Sequence, residues 1–317
     1  MDKAVKSVKK EYISRHVMEP GPLADRKLSG TWKDYVTVTK VGIILGNLLT
    51  VLTGMWLAAG GFVGFSQLSL ALILLTLLGT ALIIASGTCL NNFIDRDIDQ
   101  KMLRTKNRAL AEGRLDPKNV LIMGYILAVL GTVLLLFVNW VATMMALIGL
   151  FFYVVVYTMW LKRTHHLNTV VGGVAGAMPP VIGWTAVTGS LDPGAWVFFA
   201  FMFVWQPPHF LALAMRRCED YRAAGIPMLP VVKGFGVTKQ QIVLWVAALI
   251  PTSLYLYLVT NVGWSYVWLA LVLGLAWLAL ALAGFYIKKD ILWARINFVY
   301  SLAYLSLMCI GIMLSTI

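Results

Sequence analysis

Charged residues are scarce in this chain: 13% of its 317 residues are Asp, Glu, Lys or Arg, and 60% are hydrophobic. That composition excludes an ordinary soluble domain, in which about a quarter of the residues are charged. Cysteine is scarce too, and Cys89, Cys218 and Cys309 fit neither a disulfide framework nor the spacing of a metal site. The first 35 residues are polar and basic without an apolar core, so we expect no secretory signal peptide.

Long apolar runs are abundant instead. Nine of them can cross roughly 30 Å of hydrocarbon, and such spans form α-helices because they must satisfy their own backbone. The sequence therefore predicts an all-α integral membrane protein with nine transmembrane helices. We expect a cytoplasmic basic arm at 1–37 and a single transmembrane domain at 38–317. The predicted spans are 38–58, 67–90, 119–138, 141–161, 169–188, 195–215, 241–260, 265–286 and 296–316.

The distribution of Lys and Arg predicts the orientation of these spans. All 26 of these residues fall on one side of the predicted membrane, and the other side carries only Asp192. The positive-inside rule then places the N-terminus and the loops 91–118 and 216–239 in the cytoplasm, with the C-terminus outside. This pattern explains the net charge of +12 without nucleic acid as a partner, and it leaves anionic membrane lipid as a candidate contact of the basic arm.

The cellular location follows from the N-terminal composition. Asp2, Glu11 and Glu19 argue against a mitochondrial transit peptide, which is poor in acidic residues. We therefore expect a multi-pass protein of a bacterial plasma membrane.

Three carboxylates follow the second span, in the segment NNFIDRDID at 91–99. On a helix Asn91, Asn92, Asp95 and Asp99 share one face, and Asp97 points to the other side. Mg²⁺ prefers such oxygen ligands and binds one or two carboxylates together with substrate phosphates. We predict that Asn92, Asp95 and Asp99 are catalytic and hold the metal at the wet mouth of a membrane helix. The alternative is a helix cap with a charged cytoplasmic loop.

Basic residues beside this segment complete a candidate diphosphate site. Arg96, Arg104, Lys106 and Arg108 can hold phosphate oxygens, and Asn91 is a further substrate-binding candidate. Carboxylates with a metal on one side and basic side chains on the other predict a site for a diphosphate. Because its carboxylate would stand in water, we expect Asp95→Ala to abolish turnover and leave the fold intact.

A second charged cluster follows the sixth span. Glu219 and Asp220 can supply a second oxygen group for metal, and Arg216, Asp220 and Tyr221 are substrate-binding candidates. Taken alone this segment is an ordinary cytoplasmic loop. Because it lies on the same predicted membrane face as residues 91–108, we predict that it forms the other half of one pocket.

Polar residues inside the apolar spans are expected to face a cavity. His209 lies in WQPPH at 205–209, and both a buried, hydrogen-bonded histidine and a substrate contact remain open for it. Asn47 is a weaker candidate of the same kind. Met178-Pro179-Pro180 is expected to break or kink the fifth span.

Four segments carry a resemblance to a known family. The pattern Asn91-Asn92-x-x-Asp95-x-x-x-Asp99 resembles the first aspartate-rich motif of the UbiA superfamily of intramembrane prenyltransferases, and the nine-span layout fits it. From about residue 37 to 295 the chain looks like the haem-modifying branch of that superfamily. The segments that carry this likeness are NNFIDRDIDQKMLRTKNRAL (91–110), GAMPPVIGW (176–184), WQPPH (205–209) and DYRAAGIPMLPVVKG (220–234).

The chain departs from the superfamily pattern in two places. Asn92 stands where the first motif usually has aspartate. Arg217 and Tyr221 stand where the second motif usually has aspartates four apart, so a full second motif is in doubt. Both departures resemble those of the haem-modifying branch.

The resemblance implies a UbiA-type bundle that transfers farnesyl from farnesyl diphosphate to a vinyl group of haem b. Water adds as well, and the products are haem O and pyrophosphate. Mg²⁺ would be the cofactor and haem b a substrate, with His209 in contact with the porphyrin. A haem A synthase or a terminal oxidase assembly is an open candidate to receive the product.

Two other functions share part of this pattern. A related prenyltransferase would use the same aspartates on an aromatic acid or quinone precursor. A transporter is disfavoured, because the charged clusters lie at one membrane face and not at the midplane.

Overall fold

The structure, a computed structural model, describes residues 29–316. Within this range nine helices are long and apolar enough to cross a membrane, which confirms the predicted number of spans. Residues 1–28 of the expected basic arm lie outside the described residues, and a short helix, Trp32–Val38, precedes the first span. The nine helices are α1 Val41–Ala58, α2 Leu70–Ile94, α3 Pro117–Leu136, α4 Trp140–Thr164, α5 Asn168–Thr188, α6 Pro193–Arg216, α7 Gly234–Val259, α8 Trp264–Ala283 and α9 Asp290–Ser315.

Several helices are longer than their apolar cores. α7 begins at Gly234 and α9 at Asp290, each several residues before the predicted start, and α2 continues to Ile94. The helical backbone can extend past the apolar core because its hydrogen bonds are made within the helix and do not depend on the surrounding hydrocarbon. α5 runs without interruption through Pro179 and Pro180, so these prolines do not break the helix, and the alternative expectation of a kink stays a prediction. Neighbouring helices can re-satisfy the carbonyls that the prolines leave unbonded.

Side-chain caps fix where four spans begin. In each case a polar side chain accepts a backbone N–H of the first turn, which satisfies one of the otherwise unpaired donors there. The caps are Ser69 for α2, Asp116 for α3, Asn139 for α4 and Asp192 for α6.

α5 and α6 are the most buried spans and form the centre of the bundle. α5 contacts α1, α4 and α6, while α6 contacts α7 and α9. The crossing of α1 and α5 is close: a Cβ on Gly54 would lie 2.1 Å from the Pro180 carbonyl oxygen, and one on Gly183 would lie 2.0 Å from that of Val51. Thr88 of α2 also donates a 2.8 Å hydrogen bond to the Thr39 carbonyl, so the start of α1 lies beside the end of α2.

Candidate active site

The motif at 91–99 straddles the end of α2. The helix ends at Ile94, and after Asp95 a separate short helix begins. Asp97 is exposed and forms an ion pair with Arg163. The structure therefore turns Asp97 outward, as the helical spacing predicted. Four side chains of the motif are buried together: Asn91, Asn92, Asp95 and Asp99.

Asp95 is enclosed by polar partners. Its Oδ2 pairs with Lys162 and accepts a 2.7 Å hydrogen bond from Asn91 Nδ2, while Oδ1 lies 3.8 Å from an Arg163 nitrogen. The side chain is 0% exposed, so the expectation of a carboxylate at a wet mouth is wrong. The ammonium group of Lys162 offsets the free-energy cost of burying this carboxylate, which is large when no cation pairs with it.

Asp99 is held in a similar way. Its Oδ2 lies 2.6 Å from Arg108 Nη1, and its backbone carbonyl accepts a 2.9 Å hydrogen bond from the Thr105 hydroxyl. On both Asp95 and Asp99 the other oxygen, Oδ1, is buried and accepts no hydrogen bond from the described residues. A divalent cation is the kind of partner that satisfies such oxygens.

These two oxygens fit a metal that is only partly held by protein. Over residues 29–316 no group of three or more His, Cys, Asp or Glu side chains could form a metal cage. Mg²⁺, however, keeps water ligands and is commonly bound by one or two carboxylates plus substrate phosphates. The pair Asp95 and Asp99 meets that requirement.

The two asparagines of the motif, Asn91 and Asn92, make different hydrogen bonds. Asn91 Oδ1 accepts a 2.9 Å hydrogen bond from Lys40 Nζ, and its Nδ2 donates to Asp95 and, at 3.2 Å, to Thr158. Asn92 Nδ2 donates to the backbone carbonyls of Val38 and Thr88. Asn91 therefore orients the Asp95 carboxylate, while Asn92 ties α2 to the helix that precedes α1.

Three cations of this site, Lys40, Lys162 and Arg163, were missed by the sequence analysis. Burial, reinforced by the charges of Arg108 and Lys162, lowers the pKa of Lys40 to about 7. Lys40 also adopts a left-handed backbone conformation with φ 55°, which non-glycine residues rarely do. The only sequence signal for these residues was their position at the boundary of an apolar run.

α4 presents Lys162 through an unusual helical segment. Residues Phe152–Leu161 form a π-helix, in which hydrogen bonds span five residues instead of four. The Thr158 hydroxyl follows that spacing and donates to the Tyr153 carbonyl at 2.8 Å. Tyr153 and Tyr157 stack with centroids 6.1 Å apart on the same segment. The wide turns let Thr158 and Lys162 reach Asn91 and Asp95 together.

Of the basic residues predicted to bind phosphate, only one contacts the carboxylates among the residues described. Arg96 folds back on its own helix, donating to the Phe93 carbonyl at 2.5 Å, so the structure does not bring it to the carboxylates. Arg104 and Lys106 are exposed on the loop above them. Arg108 is the one member of the predicted run that contacts a motif carboxylate among the residues described.

The second cluster meets the first through its loop. Asp220 Oδ1 accepts a 3.2 Å hydrogen bond from the Leu103 backbone N–H. Burial raises the pKa of the Tyr221 phenol, with Tyr157 adding to the rise and Arg104 and Lys162 opposing it. Tyr221 therefore faces the same interior as the first cluster, and the two loops form one assembly at the same end of the bundle.

The acidic residues of the second cluster do not join the two carboxylates. Glu219 is 76% exposed and pairs with Arg222, while Asp220 is occupied by Leu103 and lies 4.0 Å from Arg217. The structure brings neither residue to the Asp95 and Asp99 pair. Arg216 lies over the Phe298 ring at 4.9 Å and lines a crevice of about 410 Å³ beside this loop.

His209 is buried between two aromatic rings, Trp205 and Phe298, with centroids 4.7 Å away in each case. Its Nδ1 lies 2.6 Å from Ser301 Oγ, and that hydroxyl donates to the Phe298 carbonyl. Because the serine proton is already used, the network assigns the histidine proton to Nδ1 and the lone pair to Nε2. Asn47 is partly exposed, and its amide donates to the Ile43 carbonyl within its own helix.

Comparison with known proteins places this geometry in a class. The family model described as the UbiA prenyltransferase family matches residues 47–302. A digeranylgeranylglyceryl phosphate synthase structure shares the fold with a TM-score of 0.74 at 17% identity, over 90% of this chain and 98% of that one. A UbiA homologue from Archaeoglobus fulgidus bound to GPP and Mg²⁺ gives 0.63 at 16% identity, over 88% and 99%. Fold and site together define an intramembrane prenyltransferase.

Curated relatives narrow the class. A protoheme IX farnesyltransferase from Alkalihalophilus pseudofirmus is 52% identical over 92% of this chain and 94% of the relative. One from Geobacillus sp. (strain WCH70) is 50% identical over 96% and 98%. The chain belongs to the UbiA prenyltransferase family, and it is a multi-pass membrane enzyme.

Proposed function

We propose that this enzyme transfers the farnesyl group of farnesyl diphosphate to a vinyl group of haem b, with addition of water, giving haem O and pyrophosphate. The observation that carries the diphosphate half is the pair of orphaned oxygens on Asp95 and Asp99, set among cations. The haem half rests on the names of the two relatives that match nearly the whole chain.

We place Mg²⁺ on Asp95 and Asp99, with the amide oxygen of Asn92 as a further ligand. When bound, the ion neutralises charge that develops on the departing diphosphate. Lys162 and Arg108 hold the two carboxylates in place and keep further N–H donors for phosphate oxygens. These preorganised cations act in a site shielded from water, where they stabilise developing charge strongly.

Loss of diphosphate leaves an allylic cation on the farnesyl chain. The stacked rings of Tyr153 and Tyr157, on the segment that carries Lys162, can shield that cation from water and stabilise it through their faces. The terminal carbon of the haem vinyl group then forms the new carbon–carbon bond. The cation that results beside the porphyrin takes up water and releases a proton, which gives the hydroxyethylfarnesyl group.

A product assay tests the proposal. Purified protein in detergent is mixed with haem b, farnesyl diphosphate and Mg²⁺, with and without chelator, and the porphyrins are analysed by mass. We expect a Mg²⁺-dependent product heavier by one farnesyl group and one hydroxyl group. Unchanged haem, with prenylation of 4-hydroxybenzoate instead, would move the acceptor to the aromatic-acid branch.

His209 is our proposed contact with the haem iron. Its Nε2 carries the lone pair and accepts no hydrogen bond from the described residues, whereas Nδ1 is anchored by Ser301. Haem b added to the protein should show the absorbance spectrum of histidine-ligated haem, and His209→Ala should lose that spectrum. His165→Ala, which removes an exposed histidine, is the matched control. An unchanged spectrum in His209→Ala would leave this residue a purely structural role.

We also propose a bacterial plasma membrane as the location, with the N-terminus in the cytoplasm and the C-terminus outside. The concentration of every Lys and Arg on one side supports this orientation. The C-terminal end also pairs with the loop between α7 and α8 through the Val262–Thr316 bridge, so these two segments lie on the same side.

A further inference from the structure

Two arginines where α6 ends and α9 begins, Arg216 and Arg295, pair with no carboxylate among residues 29–316. The acidic side chains of this region each have another basic partner, and the pairs are Glu219–Arg222, Asp220–Arg217 and Asp290–Lys239. Guanidinium groups stay charged in proteins, and the charges of Arg217 and Arg295 both act on Arg216. Because like charges repel, this arrangement favours an anionic ligand.

Arg216 lies on the same face of α6 as His209. Seven residues separate them, which is nearly two full turns and about 10.5 Å along the helix axis. The Phe298 ring of α9 contacts both: its centroid lies 4.7 Å from that of the His209 imidazole and 4.9 Å from the Arg216 guanidinium. Arg295 precedes Phe298 by three residues, so the two share one side of α9. His209 and the two arginines therefore line one path from the interior of the bundle to its end.

A crevice of about 410 Å³ opens beside Arg216 at this end. Its walls place Arg216 and Arg217 among the apolar side chains of Met215, Phe235 and Ile291, and the acidic side chains that also line it are the paired ones. The Arg217 Nε is buried and donates no hydrogen bond within residues 29–316. A ligand oxygen is the kind of partner that satisfies such a donor. Apolar walls with guanidinium groups at one end match an apolar ligand that carries carboxylates on one edge.

We propose that Arg216 and Arg295 bind the two propionates of the haem substrate and so decide which way round the porphyrin lies. Haem carries both propionates on one edge of the ring and both vinyl groups on the opposite edge. Propionates at the arginines therefore direct the vinyl edge into the bundle, with the iron near His209. Arginine suits this role because its planar fork of N–H donors matches a carboxylate. The inference rests on the proposed haem chemistry.

The dimethyl ester of haem b is the probe that tests the inference. It keeps the iron, the ring and the vinyl groups but lacks both propionate charges. Titration of the full chain in detergent with haem b and with the ester, followed by porphyrin absorbance, gives the ratio of the two dissociation constants. Detergent takes up the two porphyrins unequally but in the same way for every variant, so the change in this ratio between variants reports the protein alone.

Arg216→Gln should reduce the preference for haem b over the ester about tenfold, the effect of losing one charge-assisted hydrogen bond. Adding Arg295→Gln should reduce it about tenfold again, while affinity for the ester stays at the parent value in both variants. Arg222→Gln, at an exposed arginine whose partner is Glu219, is the matched control and should keep the parent ratio. Equal loss of affinity for both porphyrins would make Arg216 a packing residue and overturn the proposal.

The diphosphate is the other anion that this enzyme is proposed to bind, so its affinity is measured as well. Farnesyl thiodiphosphate, which resists cleavage, should bind Arg216→Gln as it binds the parent. Weaker binding of the thiodiphosphate, with the porphyrin ratio unchanged, would assign the arginine to the diphosphate and overturn the proposal.

The outcomes separate this inference from the proposed function. A parent that forms the farnesylated porphyrin, with a ratio that neither substitution changes, would refute the propionate contacts and leave the transfer reaction standing. A parent that forms no such product, but whose preference for haem b falls in Arg216→Gln, would refute the reaction and support the contacts.

Discussion

Asp95→Asn should reduce farnesyl transfer by about 10³-fold or more while the protein stays folded. The amide has the shape of the carboxylate and can still accept a hydrogen bond from Lys162, but it lacks the charge that holds a hard cation. Losing one preorganised electrostatic contact costs about 10²–10³ in rate, and here the ion and its orientation are lost together. Mass analysis of the porphyrins gives the rate, and a thermal melt in detergent reports the fold.

Asp97→Asn is the matched control for this change. Asp97 lies two residues away and is 57% exposed, and an asparagine there can still accept a hydrogen bond from Arg163, so the same substitution should leave the rate close to that of the parent. Alanine at position 95 is a poorer test, because it would leave Lys162 buried without its partner, which destabilises a protein by about 3–5 kcal/mol. Near-parent turnover in Asp95→Asn would remove this residue from the metal site.

Gly54→Leu should prevent α1 from packing on α5. Even a Cβ there would lie 2.1 Å from the Pro180 carbonyl oxygen, and backbone cannot move aside as a flexible side chain can. Overpacking costs about 1–3 kcal/mol in general, and we expect a loss at or above the top of that range. The readouts are the thermal midpoint and the fraction of monodisperse protein after size-exclusion chromatography.

Gly46→Leu supplies the control on the same helix. No atom lies within 4 Å of a Cβ built at Gly46, so leucine there meets open space. We expect its midpoint to match or exceed that of the parent, because leucine favours helix over glycine. Equal melting of the two variants would show that the α1–α5 crossing is looser than its glycines indicate.

The number of spans was predictable because lipid allows few alternatives. A chain that crosses hydrocarbon must be helical there, and Lys and Arg mark the ends of the crossings. It was also predictable that Asn91, Asp95 and Asp99 point to one side, since they lie within one short segment whose helical spacing is fixed. The ends of the helices were harder to predict, because α7 and α9 extend beyond their apolar cores.

The partners of those residues were not predictable from spacing. Lys40 is 51 positions from Asn91, and Lys162 is 67 positions from Asp95, so only the packing of α1 and α4 against α2 brings them together. The same packing buries Asp95, which the position of the motif at a span end did not indicate. Glu219 shows the opposite error, since an acidic residue in the right loop can still point to solvent.

The cations beside Asp95 and Asp99 should also govern how the reaction ends. Cleavage turns the ester into inorganic pyrophosphate, whose newly freed oxygen makes it a stronger anion than the donor. We therefore expect Arg108 and Lys162 to hold the leaving group more tightly after the bond has broken than before. A site that stabilises the diphosphate as it leaves carbon also binds the released pyrophosphate tightly. We expect escape of pyrophosphate past the loops, and not carbon–carbon bond formation, to limit steady-state turnover.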